Sequence, residues 1–409
     1  MTYASILKII QNQRGHGNKK NNLQAVKKTA AALGLSKLNF KIIHIAGTNG
    51  KGTTAALLAL SLEQAGFKTG LFTSPHLYLA TERIKINSKD ISKKNFALYV
   101  EKVLQKETIS LKFFEILTLA ALLYFKDNKI DYAVLETGLG GLLDSTNIVK
   151  PILSIITSIS LDHSDILGKT IKEIAAQKGG IIKSAVPCLI GSLPPDAKKV
   201  IKEIALIKKS RILTLGNHFK FCKIDFKNLT TCFTYKNQKF KLNLLGRKQA
   251  LNAALVLAAC EYLKIDFKFC AKAFSLVKMP CRFEVCQITK GKKYLIKDGA
   301  HNPAALKEFV LNYKKSLFYK PNNTLIFSAM QDKDYKSNIK ILSPHFKNIA
   351  LTIADTKRNV PLQNMAPLFK QAKVALIQNP SKINFKALSG NIIALGSFYL
   401  CSALRLNSM

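Results

Sequence analysis

Short apolar runs alternate with longer helical stretches through the first half of the chain. The runs KIIHIA, KTGLF, DYAVLE and ILSIITSI lie between residues 41 and 159 and are rich in β-branched residues. The segments between them carry apolar residues at helical spacing. This alternation predicts an α/β domain built on a parallel sheet.

A second series of the same kind comprises YLIKDGA, TLIFSAM, NIALTIA, KVALI and NIIALGS. Residues 278–293, which contain a proline and several polar residues, interrupt the two series and read as the junction between domains. We therefore predict a larger domain over residues 1–284 and a smaller α/β domain over residues 285–409. Residues 213–245 alternate as antiparallel strands do, and we expect them to precede a helix.

Composition narrows the class of protein. A chain of 409 residues with 48% hydrophobic content can bury two or three cores. It contains no apolar run of about 18 residues and no signal-peptide pattern, so we expect a cytoplasmic protein with no membrane partner. The 8 cysteines include no CxxC pair, so neither a metal cluster nor a disulfide framework is expected.

The formal net charge of +39 first suggests a nucleic-acid partner. However, lysines account for nearly all of the 63 basic residues and are scattered over almost every segment. Arginine, whose planar fork suits phosphates and bases, is scarce. We therefore expect lysine-rich solvated faces and no nucleic acid. Attraction of a polyanionic substrate by the cationic field is the alternative.

The segment AGTNGKGTT, residues 46–54, joins an apolar strand to a helix that we expect to begin at the threonine pair. Strict P-loop spacing fails by one position, because Gly52 separates Lys51 from Thr53. Glycines still allow backbone N–H groups to converge, and a lysine and a helix N-terminus both attract anions. These features favour a phosphate-binding loop. A purely structural turn is the alternative.

The next predicted strands end in the polar segments TSPH, ETGLGGLLDSTN and SLDHSDILG. Because carboxyl ends of parallel strands meet at one sheet edge, these segments are expected to lie together. Ser74, Glu136 and His163 would offer a hydroxyl, a carboxylate and an imidazole to Mg²⁺ and its bound phosphates. A turn or cap role is the alternative for each residue alone, and their joint position favours a metal-phosphate site.

These motifs, with TERIKI, FFE, QKGGI, RFE, DGAHNP, QDKD and LGSF, occur in a characteristic order. In that order and spacing the chain resembles the folylpolyglutamate synthase and dihydrofolate synthase family of Mur-type ligases over nearly its whole length. The resemblance implies a Mur-ligase-type P-loop ATPase domain with a parallel sheet and a smaller, Rossmann-like C-terminal α/β domain. It also implies that ATP phosphorylates a substrate carboxylate, and that the amine of L-glutamate then attacks the acyl phosphate to form an amide.

The resemblance also assigns roles to individual residues. Those that would bind ATP are Thr48, Asn49, Gly50, Lys51, Gly52, Thr53, Asn252, Arg282, Asp298 and His301. Ser74 and Glu136 would hold one Mg²⁺ and His163 a second, and Phe113 and Asp144 would contact the substrate. The catalytic set would be Lys51, Glu136, His163 and Lys178.

Lys178 in QKGGI matches the family's lysine that is carbamylated by CO₂. Carbamylation converts a cation into an anionic carboxylate, which can assist Mg²⁺. A solvated position at a helix end is the alternative for one lysine among so many.

Members of the family add the first glutamate to dihydropteroate, extend folates to polyglutamates, or do both. Phe113 and Phe114 form an aromatic pair that could stack on a flat pterin, whereas residues 11–22 offer only His16. We expect both activities, in a monomer that uses dihydropteroate, folates, L-glutamate and ATP. The alternatives are polyglutamate extension alone, a Mur-type ligase of cell-wall synthesis, a nucleic-acid-dependent ATPase and a non-catalytic relative.

Four residues depart from the family's pattern. Leu142, Gln177, Lys248 and Cys281 stand where arginine, glutamate, histidine and glycine are common. None of them is a proposed ATP or metal ligand. Leu142 bears on the substrate loop, and Cys281 bears on the backbone beside Arg282.

Overall fold

The computed structural model describes residues 1–13, 23–289 and 292–404, so His16 lies outside the described residues. The chain packs as two compact units. The first comprises Met1–Lys220, Thr234–Phe240 and Leu251–Val277, and the second comprises Phe221–Phe233, Lys241–Ala250 and Lys278–Met409. Because these units record packing and not autonomous folding, the predicted domain boundary after residue 284 stays a prediction.

The first unit is built on a large sheet. Its strands are β1 (Lys41–Ala46), β2 (Thr69–Phe72), β3 (Ile84–Ile86), β4 (Lys89–Asp90), β5 (Tyr132–Glu136), β6 (Leu153–Ile156), β7 (Cys188–Ile190) and β8 (Ile212–Thr214). They lie in the order β4-β3-β2-β5-β1-β6-β7-β8. The run from β2 to β8 is parallel, and β3 and β4 add an antiparallel edge. The four strands predicted from the first series are confirmed.

Helices connect and cover these strands. They are α1 (Tyr3–Lys8), α2 (Leu23–Ala32), α3 (Lys51–Gln64), α4 (Lys93–Lys106), α5 (Phe113–Asp127), α6 (Ser164–Leu167), α7 (Ile171–Gly179), α8 (Pro195–Ile207), α9 (Arg247–Tyr262) and α10 (Phe267–Leu276). Short 3₁₀ turns include Ala80–Arg83 and Ser145–Ile148, and a π-helical turn covers Ile9–Gln13. No helix within the described residues is long and apolar enough to cross a bilayer.

Local sequence explains where these elements begin and what they bury. Ser92 caps α4 by accepting a hydrogen bond from the Asn95 N–H, and Phe96, Val100 and Val103 recur on its buried face. β1 is buried along five of its six residues, as expected for a parallel strand covered on both faces. One apolar core joins α2, α4 and α5 to β1, β2 and β5, and another joins α7 and α8 to β6 and β7.

A small sheet follows the first one along the chain. It contains β9 (Phe219–Asp225), β10 (Thr230–Tyr235) and β11 (Gln238–Leu242), in the order β11-β10-β9. Lys236 and Asn237 have φ values of 48° and 62° and form a two-residue hairpin turn between β10 and β11. The predicted strands before helix α9 are therefore present.

The second unit contains a mostly parallel sheet. Its strands are β12 (Glu284–Thr289), β13 (Lys293–Lys297), β14 (Thr324–Phe327), β15 (Asn348–Thr352), β16 (Lys373–Ile377) and β17 (Ile392–Leu395), in the order β12-β13-β17-β14-β15-β16. Only β12 is antiparallel to its neighbour. Its helices are α11 (Pro303–Lys314), α12 (Tyr335–Leu342), α13 (Leu362–Met365) and α14 (Phe398–Ala403). All five predicted strands are present, and β12 lies inside the segment that the sequence pattern read as a junction.

Candidate active site

The glycine cluster forms a tight loop between β1 and α3. Gly47 and Gly50 have φ values of 153° and 88°, in the region that disfavours side chains. A Cβ at Gly47 would lie 2.0 Å from Thr157 Oγ1, and one at Gly50 would lie 2.4 Å from Asn252 Oδ1. Both glycines are therefore required by conformation and by close approach. The second contact also brings the predicted ATP residue Asn252 to the loop.

The loop is tied to the segment that follows β6. The Thr48 N–H donates to the Ser158 carbonyl at 2.8 Å, and the Thr48 hydroxyl donates to the Ser160 carbonyl at 3.1 Å. The Asn49 N–H donates to Ser158 Oγ at 3.0 Å. Because these bonds bind the loop to a neighbouring strand end, its backbone is held in place before any ligand arrives.

Two ammonium groups meet at one carbonyl of this loop. Lys51 Nζ donates to the Gly47 carbonyl at 3.1 Å, and Lys178 Nζ donates to the same oxygen at 3.0 Å. Lys178 is only 4% exposed. Both ammonium groups lie within hydrogen-bond distance of this one oxygen, which concentrates positive charge beside the loop. The arrangement therefore suits an anionic ligand.

Helix α3 begins at Lys51, two residues before the predicted start at Thr53. The difference arises because Gly50 takes the N-cap position, which its left-handed conformation permits. The buried hydroxyls of Thr53 and of Thr137, the residue after Glu136, have no hydrogen-bond partner within the part of the chain that the structure describes.

Glu136 stands beside the loop at the end of β5. Its side chain is buried, and its Oε2 accepts a hydrogen bond from the Ser74 N–H at 3.0 Å. A Cβ at Gly52 would lie 3.3 Å from the same oxygen. The structure thus brings together Ser74, Glu136 and Gly52, three residues that the sequence placed in one site.

His163 occupies the loop after β6 with φ 51°, as the N-cap of the short helix α6. Its Nε2 lies 3.9 Å from Asp162 Oδ1. The described residues contain no group of three His, Cys, Asp or Glu side chains arranged to hold a metal. Mg²⁺ usually takes one or two protein carboxylates and completes its shell with phosphates and water, so the donor set of Glu136 and Ser74 fits this ion.

The loop after β5 packs against the end of α7, next to Lys178. The Leu142 N–H donates to the Gln177 carbonyl at 2.7 Å, and a Cβ at Gly180 would lie 2.4 Å from Leu142 Cα. Leu142 and Gln177 take part in this bond only through backbone atoms. Their departures from the family's residue types therefore leave the bond intact.

Asp144 belongs to a buried polar network inside that loop. It accepts hydrogen bonds from the Leu139 N–H at 2.8 Å, from the Thr146 N–H at 3.0 Å and from the Thr146 hydroxyl. Burial raises the pKa of Asp144, and the bonds from Thr146 and Leu139 oppose that rise. Asp144 shapes the loop, and its role as a substrate contact stays a prediction.

His44 extends this network into β1, and the sequence analysis missed it. Its Nε2 lies 2.8 Å from Thr146 Oγ1. Because the Thr146 hydroxyl donates to Asp144, it accepts from His44, which places the imidazole proton on Nε2. Burial, reinforced by the charge of Lys183, lowers the pKa of His44 to about 3. The available signal was one polar residue inside an apolar strand just before the glycine loop.

The predicted aromatic pair divides into two roles. Phe113 is buried in the core, with the Arg83 guanidinium carbon 5.3 Å from its ring centroid. Phe114 lies 5.4 Å from the Phe72 ring, and a Cβ at Gly138 would lie 2.6 Å from its edge. Phe114 therefore reaches the loop after β5. A substrate contact by Phe113 stays a prediction.

In the second unit, Asp298 follows β13. Its Oδ2 accepts from the Phe283 N–H and its Oδ1 from the Ala300 N–H, both at 2.8 Å. Burial raises the pKa of Asp298, and the charge of Arg282 opposes the rise. His301 Nδ1 lies 2.8 Å from the Gly299 carbonyl oxygen. Asp298, Arg282 and His301 thus gather at the end of one strand.

Cys281, the departure beside Arg282, takes a left-handed conformation with φ 59°. Glycine adopts this conformation without strain, which explains why a glycine suits the position. The Cys281 N–H donates to Glu284 Oε2 at 2.9 Å. The thiols of Cys281 and Cys401 are both buried and are hydrogen-bonded to each other. That hydrogen bond, together with burial, raises the pKa of Cys401.

Comparison with known proteins identifies the family. The Mur ligase middle domain family matches residues 45–260. The chain is 33% identical over 419 residues to the dihydrofolate synthase/folylpolyglutamate synthase of Bacillus subtilis, with 94% of each chain covered. The chain belongs to this family of Mur-type ligases.

Solved structures of the family share the fold. E. coli FolC in complex with DHPP and ADP superimposes with a TM-score of 0.86 at 26% identity, covering 98% of this chain and 96% of that one. A bifunctional folylpolyglutamate synthase/dihydrofolate synthase with Mn, AMPPNP and L-glutamate bound gives 0.85 at 28% identity, covering 98% and 97%. The predicted Mur-ligase-type α/β fold is confirmed.

Proposed function

We propose that this family member joins L-glutamate to dihydropteroate and to folates at the expense of ATP. The observation that carries the proposal is the placement of Lys51 in a rigid glycine loop next to the Glu136 carboxylate. A cation at such a loop can neutralise a triphosphate, and a carboxylate beside it can hold the metal ion of the triphosphate. Related structures hold DHPP with ADP, and Mn with AMPPNP and L-glutamate, which are the kinds of ligand that this proposal requires.

In the proposed reaction, a substrate carboxylate oxygen attacks the γ-phosphorus of ATP and ADP leaves. The glutamate amine then attacks the acyl carbon, phosphate leaves and the amine proton is released. Lys51 would neutralise the phosphates, and the backbone of residues 48–50 would cradle them. Glu136 and Ser74 would hold one Mg²⁺, which would supply positive charge to the phosphates. A second Mg²⁺ at His163 and ATP contacts by Arg282, Asp298 and His301 are part of the same proposal.

The test is ligation by the purified chain with ATP, Mg²⁺, glutamate and either dihydropteroate or a reduced folate. Lys51→Ala and Glu136→Ala should each lower turnover on the order of a hundredfold or more, the usual cost of losing one transition-state charge partner. Lys102→Ala, which removes an exposed lysine paired with Asp127, is the matched control and should retain activity. Turnover near that of the unchanged protein in either site variant contradicts the proposal.

We also propose that Lys178 is carbamylated in the active protein. Lys178 is buried and lies beside Lys51 at the Gly47 carbonyl, where a carbamate would be attracted to Lys51 and to a metal ion. With ¹³C-labelled CO₂, the unchanged protein should show a carbamate resonance that Lys178→Ala lacks. Lys183→Ala is the control, because burial lowers the pKa of Lys183 to about 8 and makes it the next candidate for CO₂. Partial rescue of Lys178→Ala by acetate would support the same role.

The choice between both activities and polyglutamate extension alone rests on kinetics. We propose both, in a cytoplasmic monomer. Eight free cysteines fit a reducing compartment. Comparable kcat/KM values for dihydropteroate and for a reduced folate monoglutamate are expected. Background turnover of dihydropteroate beside robust folate extension would leave polyglutamate extension alone. Light scattering would test the monomer.

A further inference from the structure

The side chain of Arg282 lies on an aromatic ring. Its guanidinium carbon is 4.8 Å from the ring centroid of Phe398, the first residue of α14. The ring is itself fixed in place, because a Cβ at Gly299 would lie 2.6 Å from its edge and the His301 ring centroid is 6.1 Å away. β13 and β17 are parallel neighbours, so Phe398 after β17 reaches the residues after β13.

The next residue along the chain provides an internal comparison. Tyr399 also faces an arginine, with the Arg358 guanidinium carbon 5.6 Å from its ring centroid. Arg358, however, donates to the Tyr399 hydroxyl at 3.1 Å and to Asp332 Oδ1 at 3.0 Å. Asp332 therefore already balances the charge of Arg358, and two of the N–H donors of Arg358 are already hydrogen-bonded within the fold.

Arg282 differs on this point. Within residues 1–13, 23–289 and 292–404, its guanidinium makes no hydrogen bond or ion pair, and Phe398 contacts it as a ring. Asp298, the acidic residue whose charge interacts with Arg282, accepts backbone N–H groups with both oxygens instead. The ring therefore holds Arg282 without neutralising it.

We propose that Phe398 is a positioning residue that holds the Arg282 guanidinium by one face and leaves its N–H donors for phosphate oxygens of the nucleotide. A ring face attracts a cation without occupying its donors, whereas a carboxylate would occupy them. Five donors in a planar fork suit phosphate oxygens when the plane is held still. The inference rests on the proposed function, in which Arg282 binds ATP.

Kinetics of the full chain test this role. Phe398→Leu removes the ring and keeps an apolar side chain, and it should raise the KM for ATP roughly fivefold, the effect expected of one such contact. The KM for L-glutamate should change less than twofold. Phe398→Tyr keeps the ring face and should restore the KM for ATP. Tyr399→Leu, the matched control, should leave it within about twofold because Arg282 is untouched.

A double-mutant cycle separates positioning from general packing. If Phe398 acts through Arg282, Phe398→Leu should have no further effect on the KM for ATP in an Arg282→Ala background. An equal rise in both backgrounds would overturn the inference and leave the proposed function standing. Unchanged ATP kinetics in Arg282→Ala would instead remove Arg282 from the nucleotide site. Phe398→Met, a second ring-free variant, replaces Phe398→Leu if thermal unfolding shows that the latter does not fold.

Discussion

Two turns carry predicted ATP-binding residues, and each contains residues with positive φ. In the first unit these values fall on Gly47 and Gly50, where neighbouring side chains leave no space for a Cβ. In the second unit they fall on Cys281 and Phe283, at 59° and 47°. That turn is held instead by carboxylates, because Glu284 accepts from the Cys281 N–H and Asp298 from the Phe283 N–H.

The difference explains why the first turn shows a local glycine pattern in the sequence and the second does not. A backbone that excludes every side chain leaves a run of glycines, which is visible at once. A backbone held by bonds from carboxylates tolerates ordinary residues, since those bonds offset the left-handed strain. The second turn consequently has no local glycine signature. One of the carboxylates that hold it, Asp298, lies 15 residues along the chain from the N–H group whose hydrogen bond it accepts.

The largest effect is expected from filling the glycine loop. In Gly47→Ala the new Cβ would lie 2.0 Å from Thr157 Oγ1 and 3.2 Å from the Ser158 nitrogen, so the loop must move. We expect ligation to fall on the order of a hundredfold or more, since misplaced phosphate groups lose their positioning. Gly66→Ala is the matched control, because Gly66 also has positive φ, 91°, but has no atom within 4 Å of a Cβ. Equal losses of ligation activity in both variants would show that the positive φ matters and that the lack of space for a Cβ does not.

Lowering the pH should affect stability differently through His44 in the first region and through Asp298 in the second. His44, two residues before the end of β1, has a folded pKa of about 3 against an unfolded value of 6.5. Because the folded pKa is lowered, the unfolded state binds more protons below pH 6.5, and stability falls as the pH decreases from 6.5 towards 3. At pH 4.5 the loss attributable to His44 is about 3 kcal/mol.

Urea unfolding of the unchanged chain and His44→Gln at several pH values checks this slope. Glutamine keeps an N–H donor for Thr146 but does not titrate, so its stability should fall less between pH 6.5 and pH 4.5. Asp298, in the second turn, has a raised pKa, so its protonation in acid should not add to the loss. Parallel pH slopes in the two proteins would contradict the buried neutral imidazole.

A smaller effect is expected from weakening the carboxylate that holds the second turn. Asp298→Asn retains one oxygen acceptor and leaves one of the Phe283 and Ala300 N–H groups unpaired. An unpaired buried donor costs about 1–3 kcal/mol, and we expect the kcat/KM for ATP to fall roughly tenfold as the turn shifts Arg282. Glu284→Gln, at the more exposed end of the turn, should have less effect on ATP kinetics. A larger effect of Glu284→Gln would reverse the assignment of which carboxylate matters.

The smallest effect is expected where the two turns become alike. Cys281→Gly relieves a left-handed conformation, worth about 1 kcal/mol, and loses a buried thiol of similar value. Its unfolding free energy should therefore stay within about 0.5 kcal/mol of the unchanged chain. Cys401→Ala loses the partner thiol without any backbone relief, and it should be about 1 kcal/mol less stable. Equal destabilisation by the two variants would mean that φ strain at Cys281 is negligible.

The sequence by itself determined the central parallel strands and two of the residues that follow them. Parallel strands buried on both faces read as apolar runs, and the chain must turn directly after each run, which places Lys51 and Glu136 at the sheet edge. Asp298 was implied by the family resemblance. The order of the motifs determined the family. These inferences need only local periodicity and the geometry of a parallel sheet.

Only the tertiary structure decided which distant side chains complete each turn. Lys178 reaches the Gly47 carbonyl across 131 residues, and His44 reaches Thr146 across 102. Phe398 meets Arg282 through the pairing of β13 with β17. No local pattern encodes these contacts, because each depends on the register and crossing of elements far apart in the chain. The physical reason is that tertiary packing sets the environment of a side chain, whereas backbone geometry sets the spacing of apolar positions along a helix or strand.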